Sequence, residues 1–209
     1  MVLPLRLASP AQKILLVVAV MGVLSGCVGV PVTDPTTLPS GEWRLDPRHT
    51  SVTWGVRHFG LAWTTGRFDE VSASLTFDPE QPETAQLTAI VDAASLSSGD
   101  AQLDNILTGT AWLAADSSPQ IVYHLTHVEI TGENTGILTG DLTLRGVTQP
   151  TDMSVTFYGG NYNLLEGREA LGFSGDMLID RRDFGVGNLP GSIAGTDVRI
   201  HIEAEFLKD

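Results

Sequence analysis

Apolar side chains recur at every second position along most of the chain. Val52, Trp54, Val56 and His58 alternate with Ser51, Thr53, Gly55 and Arg57. Val71, Ala73, Leu75 and Phe77 alternate with Ser72, Ser74 and Thr76, and Asp78-Pro79 ends that run. Ala85, Leu87, Ala89 and Val91 make a third apolar face, and Met153, Val155 and Phe157 a fourth. The cleanest run sets Val198, Ile200, Ile202, Ala204 and Phe206 against Arg199, His201, Glu203 and Glu205. Weaker runs occupy 121–130, 137–145 and 171–180. A period of two marks a strand with one buried and one wet face, so the pattern predicts eight strands. Turn residues separate them at Pro79 and Pro82, Thr131 to Asn134, Gly159 to Asn161, and Gly185 to Gly195. One helical stretch is predicted between Ala101 and Leu113, capped by Asp100 and shortened by Gly109. No strand–helix alternation and no repeat is visible, which excludes parallel sheets, propellers and solenoids. Such strands either stack as a filled sandwich or close into a barrel that can hold a ligand, and periodicity does not choose between them.

The first 26 residues follow a different logic. Arg6 and Lys13 precede an uncharged apolar run from Ile14 to Val23. Ten helical residues are too few for a hydrocarbon core that needs ~20, so residues 1–26 read as a secretory signal peptide. The run ends in Leu24-Ser25-Gly26-Cys27, which resembles a bacterial lipobox. That resemblance implies thioether acylation of Cys27, a membrane anchor rather than a catalytic thiol. Val28 stands where an inner-membrane lipoprotein usually carries Asp. The expected location is therefore the periplasmic side of the bacterial envelope, leaning to the outer membrane. Residues 27–42 read as the lipidated cysteine and a Pro/Thr-rich extended linker, with the folded domain, 43–209, starting near Glu42.

Charge and composition remove several functions. The formal net charge is −13, and the first 26 residues contribute only positive charge, so the remainder is more acidic still. Lys208 is the one lysine beyond residue 13. Nucleic-acid binding, which depends on Lys and Arg neutralising phosphates, is not expected. A single cysteine precludes an intramolecular disulfide and a Cys-based metal cluster. His124 and His127 are three apart, a spacing that puts them on opposite faces of a regular strand. Asp183-Phe184-Gly185 lacks the other kinase motifs, and no nucleophile elbow or phosphate loop occurs. No enzyme, metal or cofactor is expected.

Several segments resemble the YceI-like family in order along the chain. They are Leu45-Asp46-Pro47-Arg48-His49-Thr50-Ser51, Val56-Arg57-His58-Phe59-Gly60, Gly66-Arg67-Phe68 and Leu75-Thr76-Phe77-Asp78-Pro79. The segment Gly140 to Pro150 is the most specific, and Asp180-Arg181-Arg182-Asp183-Phe184-Gly185 fits the family's late R-x-D-F-G element. The resemblance implies an all-β fold: an eight-stranded antiparallel lipocalin-like barrel with one short helical segment. It also implies a polyisoprenoid or other fatty-acid-like lipid in the lumen. The family's R-D-x-H-L element departs here, with Leu103 and Ile106 in place of Arg and His, which suggests a greasier mouth.

The residues expected to line the lumen are Trp54, Val56, His58, Phe68, Phe77, Trp112, Phe157 and Phe173. His58 shares the face of Trp54 and Val56 and is expected to point inward, either toward a head group or onto a structural partner. His49 is expected to help Asp46 close a barrel end, and Arg181 and Arg182 either to receive an anionic head group or, the favoured reading, to be compensated by the flanking Asp180 and Asp183. The leading function is an envelope lipid carrier or buffer. The alternative is a structural or partner-binding lipoprotein with a filled barrel, and homodimerisation stays open. Replacing Cys27 with Ala is expected to free the protein from membranes with its fold intact. Complete retention of Cys27→Ala in the membrane pellet on fractionation refutes the lipobox reading.

Overall fold

Alternating inward apolar residues leave a sheet with one greasy face, and an antiparallel sheet can bury that face by curling until its edges meet. The computed structural model describes residues 30–209 and shows that closure; the expected signal peptide and Cys27 lie outside the described residues. The elements are β1 (Gly41–Leu45), β2 (Ser51–His58), β3 (Ala62–Phe68), β4 (Val71–Phe77), β5 (Gln86–Asp92), β6 (Leu96–Ser97), α1 (Ala101–Thr108), β7 (Gln120–Ile130), β8 (Thr135–Leu144), β9 (Val147–Asn163), β10 (Arg168–Asp180) and β11 (Ala194–Lys208).

β4, β5, β7, β8, β9, β10 and β11 follow one another around the ring, and β1 pairs with both β4 and β11 to close it. β2 continues β1 along the same edge of β11: Leu45 faces Phe206, and Val52 faces Ile202. In the same way β3 runs on into β4, and β5 into β6. The barrel is thus eight-stranded and antiparallel, with three of its strands bent. The bend between β1 and β2 is a short turn in which the Asp46 carboxylate accepts the Arg48 N–H at 3.0 Å and lies 2.8 Å from His49 Nδ1. Burial works to raise the Asp46 pKa, but these hydrogen bonds outweigh it and hold it below the usual carboxylate value. His49 and Asp46 therefore do join, at the bend between β1 and β2 rather than across a barrel end.

The ring's closing seam uses the lone distal lysine. Lys208 Nζ donates to the Glu42 carbonyl at 3.1 Å and sits 5.4 Å from the centre of the buried Trp43 ring. Arg44 Nη2 pairs with Asp209 at 2.7 Å on the outside of the seam.

α1 ends at Thr108, where Gly109 takes an extended conformation, so the helix stops short of Leu113. Asp100 caps it by accepting the Gln102 N–H at 2.9 Å and the Leu103 N–H at 3.4 Å. Chain packing begins earlier than the Glu42 suggested by composition. Val32 pairs with Gly160 through N–H···O bonds of 2.8 and 2.9 Å, a tight turn covers Pro35–Thr37, and Leu38 packs against the Trp43 cluster.

Arg181 corrects the sequence reading outright. It is 2% exposed, and all five of its N–H groups go to backbone carbonyls. Nε donates to Gly195 at 2.9 Å, Nη1 to Val186 and Gly187 at 2.8 and 3.0 Å, and Nη2 to Leu189 and Ala194 at 2.7 and 2.9 Å. Asp180 and Asp183 are not its hydrogen-bond partners; Arg182 takes Asp180, with its Nε 3.0 Å from Oδ1. Burial pulls the Arg181 pKa below the usual arginine value and the nearby Asp180 charge opposes that pull. Lysine offers three donors without the planar fork, so Arg181→Lys strands at least two carbonyls. A loss of at least ~2–3 kcal/mol is expected on urea denaturation of Arg181→Lys; a midpoint equal to wild type contradicts this account.

Candidate functional site

The inward faces enclose a cavity of about 390 Å³. That lies within the ~300–1,000 Å³ range of preformed small-molecule sites. Trp54, Val56, Phe68, Phe77, Trp112, Phe157 and Phe173 all border it, and His58 does not. His58 is exposed and packs edge-on against Phe59, with ring centres 4.6 Å apart. The inward expectation for His58 fails because β2 overruns the lumen. His58 pairs with Ala194, a level at which Arg181 already closes the interior. Sequence reasoning did not single out Leu87, Tyr123, Leu142, Met153 and Met177, which also form the wall. Leu87 and Met153 stand in the third and fourth apolar faces, and Tyr123, Leu142 and Met177 in the weaker alternating runs.

The two halves of the cavity have different characters. Near one end Phe77, Phe157, Phe173 and Phe206 form a collar, with Phe173 at 5.7, 5.0 and 6.0 Å from Phe77, Phe157 and Phe206. Edge-on and tilted ring contacts of this kind add to the stabilisation from burial alone. The other half is lined by aliphatic and methionine side chains, Trp54 and Trp112. Each of these tryptophans lies on a glycine. Gly66 faces Trp54 across the β2–β3 pair, and a Cβ there would sit 2.5 Å from Trp54 Cζ2. A Cβ on Gly187 (φ +67°) would sit 2.7 Å from the Trp112 ring. The Trp54 indole N–H is buried without a partner among the described residues. Tyr123 Oη donates to the Leu138 carbonyl at 3.0 Å, and burial, helped by the Asp152 and Asp141 charges, pushes its pKa up, so it remains a donor at ordinary pH.

One end of the cavity is shut and the other opens among loops. The floor is Arg181, Leu113 and Val186, all buried, with Trp112 stacked 5.5 Å from the guanidinium. The Gly187 N–H holds this floor to α1's trailing loop by donating to the Ala111 carbonyl at 2.8 Å. Thr33, Pro35, Pro79, Pro82 and the β7–β8 turn border the opposite end. Arg181 is the one charged side chain of the floor, and its donors are fully used, so it presents no free charge to a ligand. Leu103 and Ile106 do not border the cavity, and Ile106 is 57% exposed, so the departure at those positions does not alter the lumen wall.

The remaining candidate groups are outside. The β7–β8 register shifts between Leu125 and His127. That bulge puts both His124 and His127 on the wet surface, where a regular strand would have separated them. His124 Nδ1 bonds Thr88 Oγ1 at 3.0 Å. Asp46, His49 and Glu205 place ligand atoms within 4.8 Å of one another, but Asp46 is already shared between Arg48 and His49.

The YceI-like domain description matches residues 43–206, from within β1 to near the end of β11. A UPF0312 protein of Pseudomonas putida strain W619 is 32% identical over 167 residues, 78% of this chain and 86% of that protein. A UPF0312 protein of Shewanella baltica strain OS185 is 28% identical over 165 residues, again 78% and 86% of the two chains. Among solved structures, BcnA of Burkholderia cenocepacia superposes with a TM-score of 0.71 at 24% identity, over 77% of this chain and 98% of BcnA. A polyisoprenoid binding domain from Saccharophagus degradans superposes with a TM-score of 0.61 at 13% identity, over 82% of this chain and all of that domain, which speaks to the fold alone.

The contact of Trp54 with Gly66 yields a direct check on the wall. Gly66→Ala is expected to cost ~1–3 kcal/mol by displacing the indole and the Ser97 carbonyl, which would lie 2.6 Å from the new Cβ. Part of that loss should return when Trp54 is replaced by Leu in the same chain. Strictly additive single and double changes in thermal denaturation would mean that the two residues do not constrain each other.

Proposed function

This chain belongs to the YceI-like domain family, and from that premise we propose that its lumen takes the hydrocarbon part of one long-chain amphiphile, a polyisoprenoid or another lipid. The carrying observation is the cavity: apolar along its length, closed at the Arg181 floor and open among loops at the other end. Eight buried methylenes at ~0.8 kcal/mol each give ~6 kcal/mol, which corresponds to tens of micromolar before ordering costs. A longer chain binds correspondingly tighter. Because the floor offers no free charge, the ligand enters tail first and leaves its polar group at the open rim. The description of the Saccharophagus degradans neighbour as a polyisoprenoid binding domain supports this ligand class.

With Cys27 acylated, the barrel works as a tethered carrier or buffer on the periplasmic side of the envelope, the outer membrane being favoured by Val28. The barrel can act as a single copy, since the cavity is built within one chain.

Native mass spectrometry of the purified protein, followed by solvent extraction, is expected to reveal one bound chain per barrel. Trp54→Ala separates a ligand-filled lumen from a solid core. With saturating lipid the variant should melt close to wild type, because lipid occupies the space. After delipidation it should lose ~3–5 kcal/mol, as a cavity left in packed surroundings does. Equal, large losses in both states, with no extractable lipid, would instead describe a filled barrel serving a structural or partner-binding role.

A further inference from the structure

We propose that the open rim is a membrane-docking face, with the β9–β10 turn as its wedge, so that lipid passes between bilayer and lumen without crossing water. The proposal rests on the lipid-lumen reading and on an anchor at Cys27. Three features meet at this end of the barrel. The first is the cavity's open border, between the β4–β5 loop and the β7–β8 turn.

The second is the turn itself. β8 begins at Thr135, opposite Thr156, whereas β9 runs on to Asn163, so the β9–β10 hairpin overhangs its neighbour. Its tip exposes Leu164 (67%) and Leu165 (93%), with Tyr162 half exposed beside them. A single exposed leucine is ordinary, but adjacent leucines with a tyrosine form an amphipathic tip suited to the boundary between head groups and acyl chains. The tip is held in shape. Asn163 Oδ1 accepts the Leu165 and Glu166 N–H groups at 3.0 and 3.2 Å, and Asn163 Nδ2 donates to Glu205 at 2.9 Å. Arg48 pairs with Glu166, which neutralises the acidic residue of the turn.

The third is the point of chain entry, and it decides the occupant. Val32 is pinned to Gly160 on β9, the strand that leads into the turn. Cys27 is five residues upstream, so an acyl-anchored Cys27 holds Val32 within at most ~18 Å of its own Cα, however extended the intervening chain. The extended linker expected over residues 27–42 gives way to a short one, because residues from Val32 onward are packed on the barrel. A bilayer at Cys27 is then within reach of the tip and the open rim together. A soluble partner has no comparable reason to meet the turn, the opening and the tether at one end.

The test uses the full acylated chain in phosphatidylcholine vesicles, with Leu165→Cys carrying an environment-sensitive fluorophore. Leu61→Cys, on the exposed β2–β3 turn at the floor end, is the control. The Leu165 label should shift to the blue and be quenched several-fold more than the Leu61 label by lipids bearing a shallow quencher. Equal, aqueous behaviour at both sites overturns the proposal. So does a Leu165 label that is shielded yet not quenched by lipid, which would indicate a protein partner or a second copy. The doubly changed Leu164→Asp, Leu165→Asp chain distinguishes this proposal from the lumen reading. It should take up a pyrene-labelled fatty acid from solution as wild type does, and extract the same probe from vesicles at least ~10-fold more slowly. Failure of uptake from solution by wild type refutes the lipid lumen. Normal uptake with unslowed extraction by the variant refutes docking alone.

Discussion

The closed end of the barrel depends on one buried guanidinium. Without Arg181, the carbonyls of Val186, Gly187, Leu189, Ala194 and Gly195 would lose the donors that gather the segment carrying them across the end of the barrel. An unpaired charge in an apolar interior is costly, and here five carbonyl dipoles and the Trp112 face share it. The arrangement converts what would be an open tube into a cup. It also sets which end a ligand must use and leaves that ligand no cation to bind at the bottom.

Above that floor the wall does two things. The aliphatic half provides non-directional burial, which suits a chain whose rotamers vary. The phenylalanine collar is stiffer, because Phe173 touches three other rings and none can turn without displacing its neighbours. Gly66 and Gly187 let the two tryptophans lie flat against backbone, so large rings narrow the lumen without filling it. The acidic side chains of these strands stay on their outer faces, away from the apolar interior.

Much of this was legible in the chain. The alternation in β11, β4 and β2 locates the inward faces, and seven of the eight residues expected to line the lumen do border the cavity, although Phe68 and Trp112 lie outside any alternating run. The eighth, His58, satisfies the same alternation, but periodicity carries no information about where along a strand the lumen ends. β1, β3 and β6 escaped notice because a bent strand reads as two short pieces, and β6 has only two residues. The β7 bulge was invisible for a related reason: one inserted residue resets the phase and leaves composition unchanged. Arg181 was misread because sequence shows the neighbouring carboxylates, while its partners are carbonyls of a loop whose path only the fold determines.

The pairing of Val32 with Gly160 bears on how the molecule avoids its own kind. β9 outlasts β8, so the stretch near Gly160 would otherwise present free N–H and C=O groups on a long strand. Such an edge invites another chain to add itself, the first step toward strand-exchanged dimers and fibrils. Covering it with a segment fixed to the same polypeptide occupies the edge at a local concentration no second molecule can match. The proline-rich approach to the barrel is then a guard for that edge. A chain shortened to begin at Gly41 would keep its ring intact and lose its protection against self-association.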